Sequence, residues 1–243
     1  MNYIFDIDGT LTPSRLPIDK KFESFFLKWM EDKQVFFVTG SDKDKTIEQI
    51  GEKIWKKATR CYQSCGNAVY ENGKLISQLN FPLDDRLERL LIRFMNESQW
   101  SGKYEINIEP RIGLINFSTI GRNCPQDARD KYFEMETERE GFCKTIMEQF
   151  PELEASVGGQ ISIDIYPKGK NKAQVLDDIE GDITFFGDKC LPGGNDFPIV
   201  ERLFYPIDGA TIHHVKDWKE TFSILKSINE SALAPNGNLI NKL

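Results

Sequence analysis

Histidine is nearly absent from this 243-residue chain, which has only His213 and His214. Cysteine numbers five, at 61, 65, 124, 143 and 190, and Cys61-x3-Cys65 has no second pair beside it. That inventory argues against a zinc centre, which is assembled from closely paired cysteine and histidine ligands. An odd cysteine count without paired spacing reads instead as reduced thiols and predicts a cytoplasmic location. Long apolar runs are missing too. No window approaches the roughly eighteen residues of a membrane span, so no membrane partner is expected. The N-terminus has no basic segment followed by an apolar one, so no cleaved leader is expected and Met1 leads straight into the first strand. Positive charge is in deficit: 31 Lys and Arg against 38 Asp and Glu give a net charge of −7. This argues against nucleic acid as the main partner, yet leaves room for a phosphorylated substrate held by a few local arginines.

What remains is the composition of an ordinary globular chain, 40% hydrophobic and 28% charged, long enough for one large domain or two modest ones. Its organising stretch is the first twelve residues. Tyr3-Ile4-Phe5 is a short buried-strand pattern, followed by Asp6-Ile7-Asp8-Gly9-Thr10-Leu11-Thr12. Residues i and i+2 of an extended backbone point to one side, so Asp6 and Asp8 are expected to leave the strand end side by side. Gly9 permits the sharp turn after them. Adjacent carboxylates repel unless a cation or proton lies between them, and a hard divalent ion such as Mg²⁺ suits such an oxygen set. One carboxylate can then act as nucleophile while the other moves protons.

Further along, Ile18, Phe22, Phe25, Phe26 and Trp29 recur at helical spacing, and Gln34 to Val38 reads as a second buried strand ending in Thr39-Gly40-Ser41-Asp42. Ser41 with Asp44 resembles a capping box opening a helix through Ile47, Ile50 and Ile54. Strand, helix, strand, helix begins a parallel α/β sheet, whose ligands sit beyond the carboxyl ends of the strands. There a hydroxyl at Thr39 or Ser41, with amides around Gly40 at a helix start, would receive phosphate oxygens. Residues 61–70 and 75–79 read as a hairpin around Asn72-Gly73. The apolar strand Ile183 to Phe186 runs into Gly187-Asp188, so a second strand end delivers a carboxylate. Asp188 would complete a metal site with Asp6 and the Asp8 carbonyl, and Lys172 would neutralise charge on a transferring phosphoryl group. Asp217 opens a closing helix through Trp218, Phe222, Leu225 and Ile228, and 231–243 reads as a loose tail.

Between these halves the texture changes. A helix through Leu87 and Met95, strands at 104–108 and 113–120, a long helix from about Pro125 to Phe150, and strands at 154–157 and 161–166 make an α+β unit. The expected division is therefore a core of 1–81 and 169–230 interrupted by a cap of 82–168. The cap places Arg111, Arg122 and Arg129 near strand ends and a helix start, which suits capture of a dianionic phosphate. Ser162 and Asp164 share a sheet face and suit sugar hydroxyls.

The segment from Asp6 to Thr12 resembles the first motif of the haloacid dehalogenase superfamily, which transfers phosphoryl groups through an aspartyl-phosphate. That resemblance implies Asp6 as nucleophile and Asp8 as general acid/base, on a Rossmann-like parallel-sheet core with an inserted α+β cap of four antiparallel strands plus helices. Over nearly its whole length the chain resembles the eukaryotic-type phosphomannomutases. The match is carried by DIDGTLTPSR, TGSD, EPRIGLINFSTIGRNC, GGQISIDIYPKG and FFGDKCLPGGND. The resemblance implies that Arg15, Arg111, Arg122, Arg129, Ser162 and Asp164 bind a hexose phosphate, with a hexose bisphosphate as activator. It implies that Asp6, Asp8 and Asp188 organise Mg²⁺, and that the cap closes over the core and can join two copies in a homodimer. Thr39 departs from the glycine usual in the family, as do 64–67 and 168–171. The segment 200–205 differs enough that a second cation loop is not expected there. The alternatives are a sugar-phosphate phosphatase, giving the same intermediate to water, and a phosphosugar-binding protein on a disabled fold.

Overall fold

The computed structural model describes residues 1–204 and 210–233, the last four by backbone alone. In chain order the strands are β1 (Asn2–Phe5), β2 (Gln34–Val38), β3 (Arg60–Gln63), β4 (Ala68–Glu71), β5 (Lys74–Gln78), β6 (Ile108–Arg111), β7 (Leu114–Phe117), β8 (Leu153–Gly158), β9 (Ser162–Pro167), β10 (Ile183–Gly187) and β11 (Ala210–His214). The α-helices are α1 (Lys20–Trp29), α2 (Lys43–Lys57), α3 (Asp85–Glu97), α4 (Gln126–Met135), α5 (Arg139–Gln149), α6 (Phe197–Phe204) and α7 (Trp218–Leu233). No helix of the described residues is long and apolar enough to cross a membrane.

The larger sheet runs β11-β10-β1-β2-β3-β4-β5, parallel from β11 to β3 and antiparallel through β4 and β5. β1 is paired with β2 on one side and β10 on the other, so connections leave it in opposite directions. That is the switch point at which open α/β sheets bind ligands. The strands alternate cleanly. Tyr3, Phe5, Val35, Phe37 and Phe186 pack beneath α1, α2 and α7 with Phe22, Phe26, Ile50, Ile54 and Leu225. Ile4, Phe36, Val38, Ile183 and Phe185 face the other layer, with Val175, Ile199 and Leu203. Both faces are covered, as a parallel sheet requires. α1 begins at Asp19, whose carboxylate accepts from the Lys21 and Phe22 amides.

The second sheet, β6-β7-β9-β8, is wholly antiparallel. Leu87, Leu91 and Phe94 of α3 and Ile146 of α5 pack on Ile115, Phe117, Ile163 and Ile165 to give this unit its own core. Pro110 lies in β6, an edge strand, where a missing N–H is tolerated.

Several expectations need correction. The strand read across 61–70 is interrupted at Ser64, Cys65 and Gly66, all with positive φ (50°, 60° and 94°), and the chain reverses there so that β4 runs antiparallel to β3. The strand read at 104–108 starts only at Ile108, because Ile106 has φ 61° and its carbonyl accepts from the Arg122 amide instead. The long helix 125–150 is two helices. Glu136 accepts from the amides of Glu138 and Arg139 at 3.1 and 3.2 Å, which caps α5 and breaks the run. α2 is capped by Asp42, accepting from the Lys45 amide at 2.8 Å, rather than by Ser41. Lys172 opens a 3-10 segment (Lys172–Asp178). α6 and β11 were not anticipated, and α7 carries helix through Leu233, past the expected start of the tail at Ser231. Residues 234–243 of that tail lie outside the described residues.

Phe26 is fully buried, with ring centroids of Phe5, Phe22 and Trp29 5.3 to 5.6 Å away. Phe26→Ala should lower the unfolding free energy by about 3–5 kcal/mol in urea titration. A loss under about 1 kcal/mol would mean that the α1 layer closes over the cavity.

Candidate active site

β1 ends at Phe5, and the Asp6 amide still donates to the Phe186 carbonyl at 3.0 Å, so Asp6 is anchored at the sheet's edge beside β10. Only 3% of Asp6 is exposed. Its Oδ1 accepts from Lys172 Nζ at 2.6 Å and its Oδ2 from Thr10 Oγ1 at 3.3 Å. Lys172 also donates to Asp196 Oδ1 at 2.8 Å, and both residues are buried. Asp6, Asp188 and Asp196 each offer a carboxylate oxygen within 4.8 Å of the others. Three carboxylates thus face one ammonium, two negative charges in excess when all are ionised.

Two glycines make this crowding possible. A Cβ on Gly9, which has φ +83°, would lie 2.4 Å from Asp188 Oδ2. One on Gly187 would lie 2.7 Å from Asp196 Oδ2. The turn after the first motif and the end of β10 therefore approach the acidic group as bare backbone. The loop bearing Asp196 folds back on itself, its Oδ2 accepting from the Lys189 amide at 3.1 Å.

Burial pushes the Asp6 carboxyl upward; Lys172 pulls it back, but Asp196 and Asp188 add to the rise, to about 8. Burial disfavours the Lys172 ammonium, yet Asp196 and Asp6 outweigh burial and hold it above the ordinary lysine range. Asp188 is raised by burial, with Lys189 opposing and Asp196 reinforcing. Such a set fits a divalent cation: all donors are hard oxygens, and a double positive charge cancels the excess.

Asp8 behaves differently from its expected place beside Asp6. Regular strand geometry stops at Phe5, so the period-two relation does not carry to residue 8. Its carboxylate is not among the three grouped oxygens; Asp8 Oδ1 accepts from the Arg15 amide at 2.5 Å and from Gln49 Nε2 at 2.9 Å. The grouped side chains are thus Asp6, Asp188 and Asp196, while the sequence reading takes Asp8 by its carbonyl. Asp196 was missed. Its signal lay in the Gly193-Gly194-Asn195-Asp196 end of a segment that already supplied Asp188.

A cavity of about 580 Å³ opens between the two sheets' loops. Arg15, Gly40 and Ser41 line it from the core, and Glu109, Arg111 and Arg122 from the cap. Arg111 Nε donates to Glu109 Oε2 at 2.7 Å and Arg122 Nε lies 3.5 Å from the same oxygen. Burial, then the neighbouring Arg111, lowers Arg122 from the ordinary guanidinium range, with Arg129 and Arg15 adding and Glu109 opposing. Four arginines therefore share one field.

Other expected residues stand back from the cavity. Arg129 donates to the backbone carbonyls of Cys124 (3.1 Å) and Arg122 (2.5 Å), bracing the turn that carries Arg122. Thr39 is buried, its Oγ1 accepting from the Ser41 amide at 3.1 Å. Ser162 Oγ donates to the Gly158 carbonyl at 2.9 Å. Asp164 accepts from Asn116 Nδ2 at 2.5 Å across the β7–β9 pair, and burial raises it despite that bond.

Residues 22–231 match the model of the eukaryotic phosphomannomutase family. The phosphomannomutase of Saccharomyces cerevisiae is 33% identical over 241 residues, covering 93% of this chain and 92% of its own. Phosphomannomutase 1 of Mus musculus is 36% identical over 213 residues, 81% of either chain. Among solved structures, the C-terminal domain of C. albicans trehalose-6-phosphate phosphatase aligns with a TM-score of 0.63 and 14% identity, over 94% of this chain and 91% of that one. At that identity the likeness speaks of fold alone.

The raised Asp6 carboxyl has a thermodynamic consequence. Between its ordinary value of 3.8 and about 8, the folded state holds a proton that the unfolded chain has released. Stability of the chelator-treated protein should therefore fall as pH rises through that window, and Asp188 shifts in the same direction. Saturating Mg²⁺ should flatten the slope in thermal unfolding scans. A flat profile in chelator would show that another group compensates the buried charge.

Proposed function

The chain belongs to the eukaryotic phosphomannomutase family, and from that premise we propose that it interconverts mannose 1-phosphate and mannose 6-phosphate through phosphorylated Asp6 and a hexose 1,6-bisphosphate. The observation that carries this reading is the cavity where Arg15 of the core meets Arg111 and Arg122 of the cap, bordered by Gly40 and Ser41 just past β2. A hydrolase must grip only the phosphate it cleaves. A mutase must also hold a second phosphate at a distance, and guanidiniums read charge rather than ring position.

In the proposed sequence, an oxygen of Asp6 attacks phosphorus of the bisphosphate. The bond from phosphorus to the sugar oxygen breaks, and Asp8 gives that oxygen a proton. In the return step Asp8 removes the proton from the free hydroxyl of a hexose monophosphate, whose oxygen attacks phosphorus on Asp6 and breaks the acyl bond. Lys172 holds Asp6 in place and balances charge on the transferred group. Thr39, Gly40 and Ser41 shape the pocket for its oxygens, Arg129 supports Arg122, and Ser162 and Asp164 read sugar hydroxyls. Mg²⁺ held by Asp6, Asp188 and the Asp8 carbonyl, with Asp196 beside them, would supply the remaining positive charge. The bisphosphate turns over between core (1–81 and 169–230) and cap (82–168), whose closure excludes water. A homodimer through the cap belongs to the same proposal.

The deciding assay supplies mannose 1-phosphate, Mg²⁺ and a trace of hexose 1,6-bisphosphate, and follows mannose 6-phosphate against inorganic phosphate. Phosphate released as fast as substrate disappears would make the protein a phosphatase. Asp6→Asn should abolish both products. Arg122→Ala should lower kcat/KM for the sugar phosphate by about 10–100-fold, the value of one charged hydrogen bond, and leave slow hydrolysis of a small aryl phosphate unchanged. Equal loss on both substrates would make Arg122 structural.

A further inference from the structure

Gln49 has no part in the chemistry above, yet it is one of the most deeply placed polar side chains near the site, 1% exposed on α2. Its Nε2 donates both hydrogens, to Asp8 Oδ1 at 2.9 Å and to Thr12 Oγ1 at 3.1 Å. The orientation of the amide follows from the neighbours. The Asp8 carboxylate can only accept, and the Thr12 hydroxyl has the carbonyls of Ile7 (3.4 Å) and Pro13 (3.0 Å) to which its own hydrogen goes. The amide oxygen Oε1 is buried with no partner among the described residues. The side chain is therefore held by its donor end alone.

The backbone ties Gln49 to the same loop. Gly51 breaks the helical ladder of α2 with φ +79° and ψ 151°. The Gln49 carbonyl instead accepts from the Ile18 amide at 2.8 Å. One residue thus grips the segment from Asp8 to Ile18 at three points: the Asp8 carboxylate, the Thr12 hydroxyl and the Ile18 amide.

We propose that Gln49 is the positioning residue for the proton-transferring carboxylate, locking Asp8 so that Oδ2 is the atom that gives and takes the proton. The inference rests on the reading of Asp8 as general acid/base. Two donors, the Gln49 amide and the Arg15 backbone N–H, occupy Oδ1 from within the protein. A proton placed on Oδ1 would meet both of them head-on; a proton on Oδ2 leaves both bonds intact. The sugar oxygen must therefore approach Oδ2. When the bond from phosphorus to sugar breaks, the electron pair goes to that oxygen and the Oδ2 proton follows it. In the reverse direction the hydroxyl proton returns to Oδ2. Without Gln49 the carboxylate rotates between its two oxygens, and the productive orientation is only one of several.

The test uses the dependence on leaving group. An alkoxide leaving from a hexose phosphate needs the proton, whereas an acidic aryl oxide leaves without it. Gln49→Met keeps size and removes both donors. It should lower kcat on hexose bisphosphate or monophosphate by about 10²-fold and change KM by less than about threefold. First-turnover release of p-nitrophenolate from p-nitrophenyl phosphate, which precedes any proton removal by Asp8, should stay within about threefold of the parent enzyme. Thr12→Val, which frees one end of the amide, should shift the same ratio in the same direction by a smaller factor, and serves if Gln49→Met does not fold. Equal loss on both substrates, or no loss on either, overturns the inference. Asp8→Asn separates the two claims. Leaving-group dependence in Asp8→Asn but not in Gln49→Met sinks the role of Gln49 alone; its absence from Asp8→Asn sinks the general acid and everything resting on it.

Discussion

A single buried ammonium holds two acidic side chains in one place. Lys172, 1% exposed, lies 2.6 Å from Asp6 and 2.8 Å from Asp196, and neither carboxylate reaches solvent appreciably. Taking such charges out of water is costly, and removing one partner leaves the others uncompensated at about 3–5 kcal/mol. The fold invests accordingly in placing Lys172. Asn171 caps its 3-10 segment by accepting from the Ala173 amide at 3.0 Å, and Val175 and Leu176 anchor the segment in the sheet's second core layer. Gln174 reaches across to the Cys65 carbonyl at 2.8 Å, tying the segment to the reversed chain after β3. The strained Ser64 and Cys65 conformations are thereby linked to the position of the charge.

The cap holds a counterpart of opposite sign. Arg111 and Arg122 share Glu109, and Arg15 and Arg129 add to the field at Arg122, while Asp42, Asp44 and Glu48 line the core side of the same cavity. Guanidiniums placed in this way suit bidentate pairing with a phosphate group. Where core and cap touch, Asn67 donates 3.3 Å bonds to the Gly113 carbonyl in the β6–β7 turn and to the Lys170 carbonyl just before Lys172. One side chain therefore spans the turn beside the arginines and the segment carrying the buried ammonium. Neutral hydrogen bonds of that length are individually weak.

Legibility from sequence followed the length scale of the interactions. The two core layers were readable because Tyr3-Ile4-Phe5, Gln34 to Val38 and Ile183 to Phe186 repeat with period two, and helix spacing marked α1 and α7. Asp6, Lys172 and Asp188 were readable from strand ends and motif residues. Positive φ values at Ile106 and at Ser64 to Gly66 were not, since non-glycine residues adopt them only under tertiary constraint. The break at Glu136 depends on a side chain turning back to cap the next helix, with the buried Arg139 paired to it at 2.6 Å. Gln49 lies between apolar positions of α2, where a polar residue reads as an interruption. Only the folded loop from Asp8 to Ile18 gives it a partner.

The displacement of Asp8 from the acidic group is what makes its separate chemistry reasonable. A carboxylate beside a divalent ion is held in its ionised form by the ion's charge and becomes a poor carrier of protons. Asp6, Asp188 and Asp196 sit where charge must be cancelled. Asp8, two residues from Asp6, is turned by the end of β1 and the Gly9 turn toward an amide and a backbone N–H instead. Had the strand continued two residues further, both carboxylates would have faced the same side of the sheet's end. Ending the strand at Phe5 thus separates two carboxylates that the bare Asp-x-Asp spacing sets side by side, and a buried glutamine on a neighbouring helix holds the second of them.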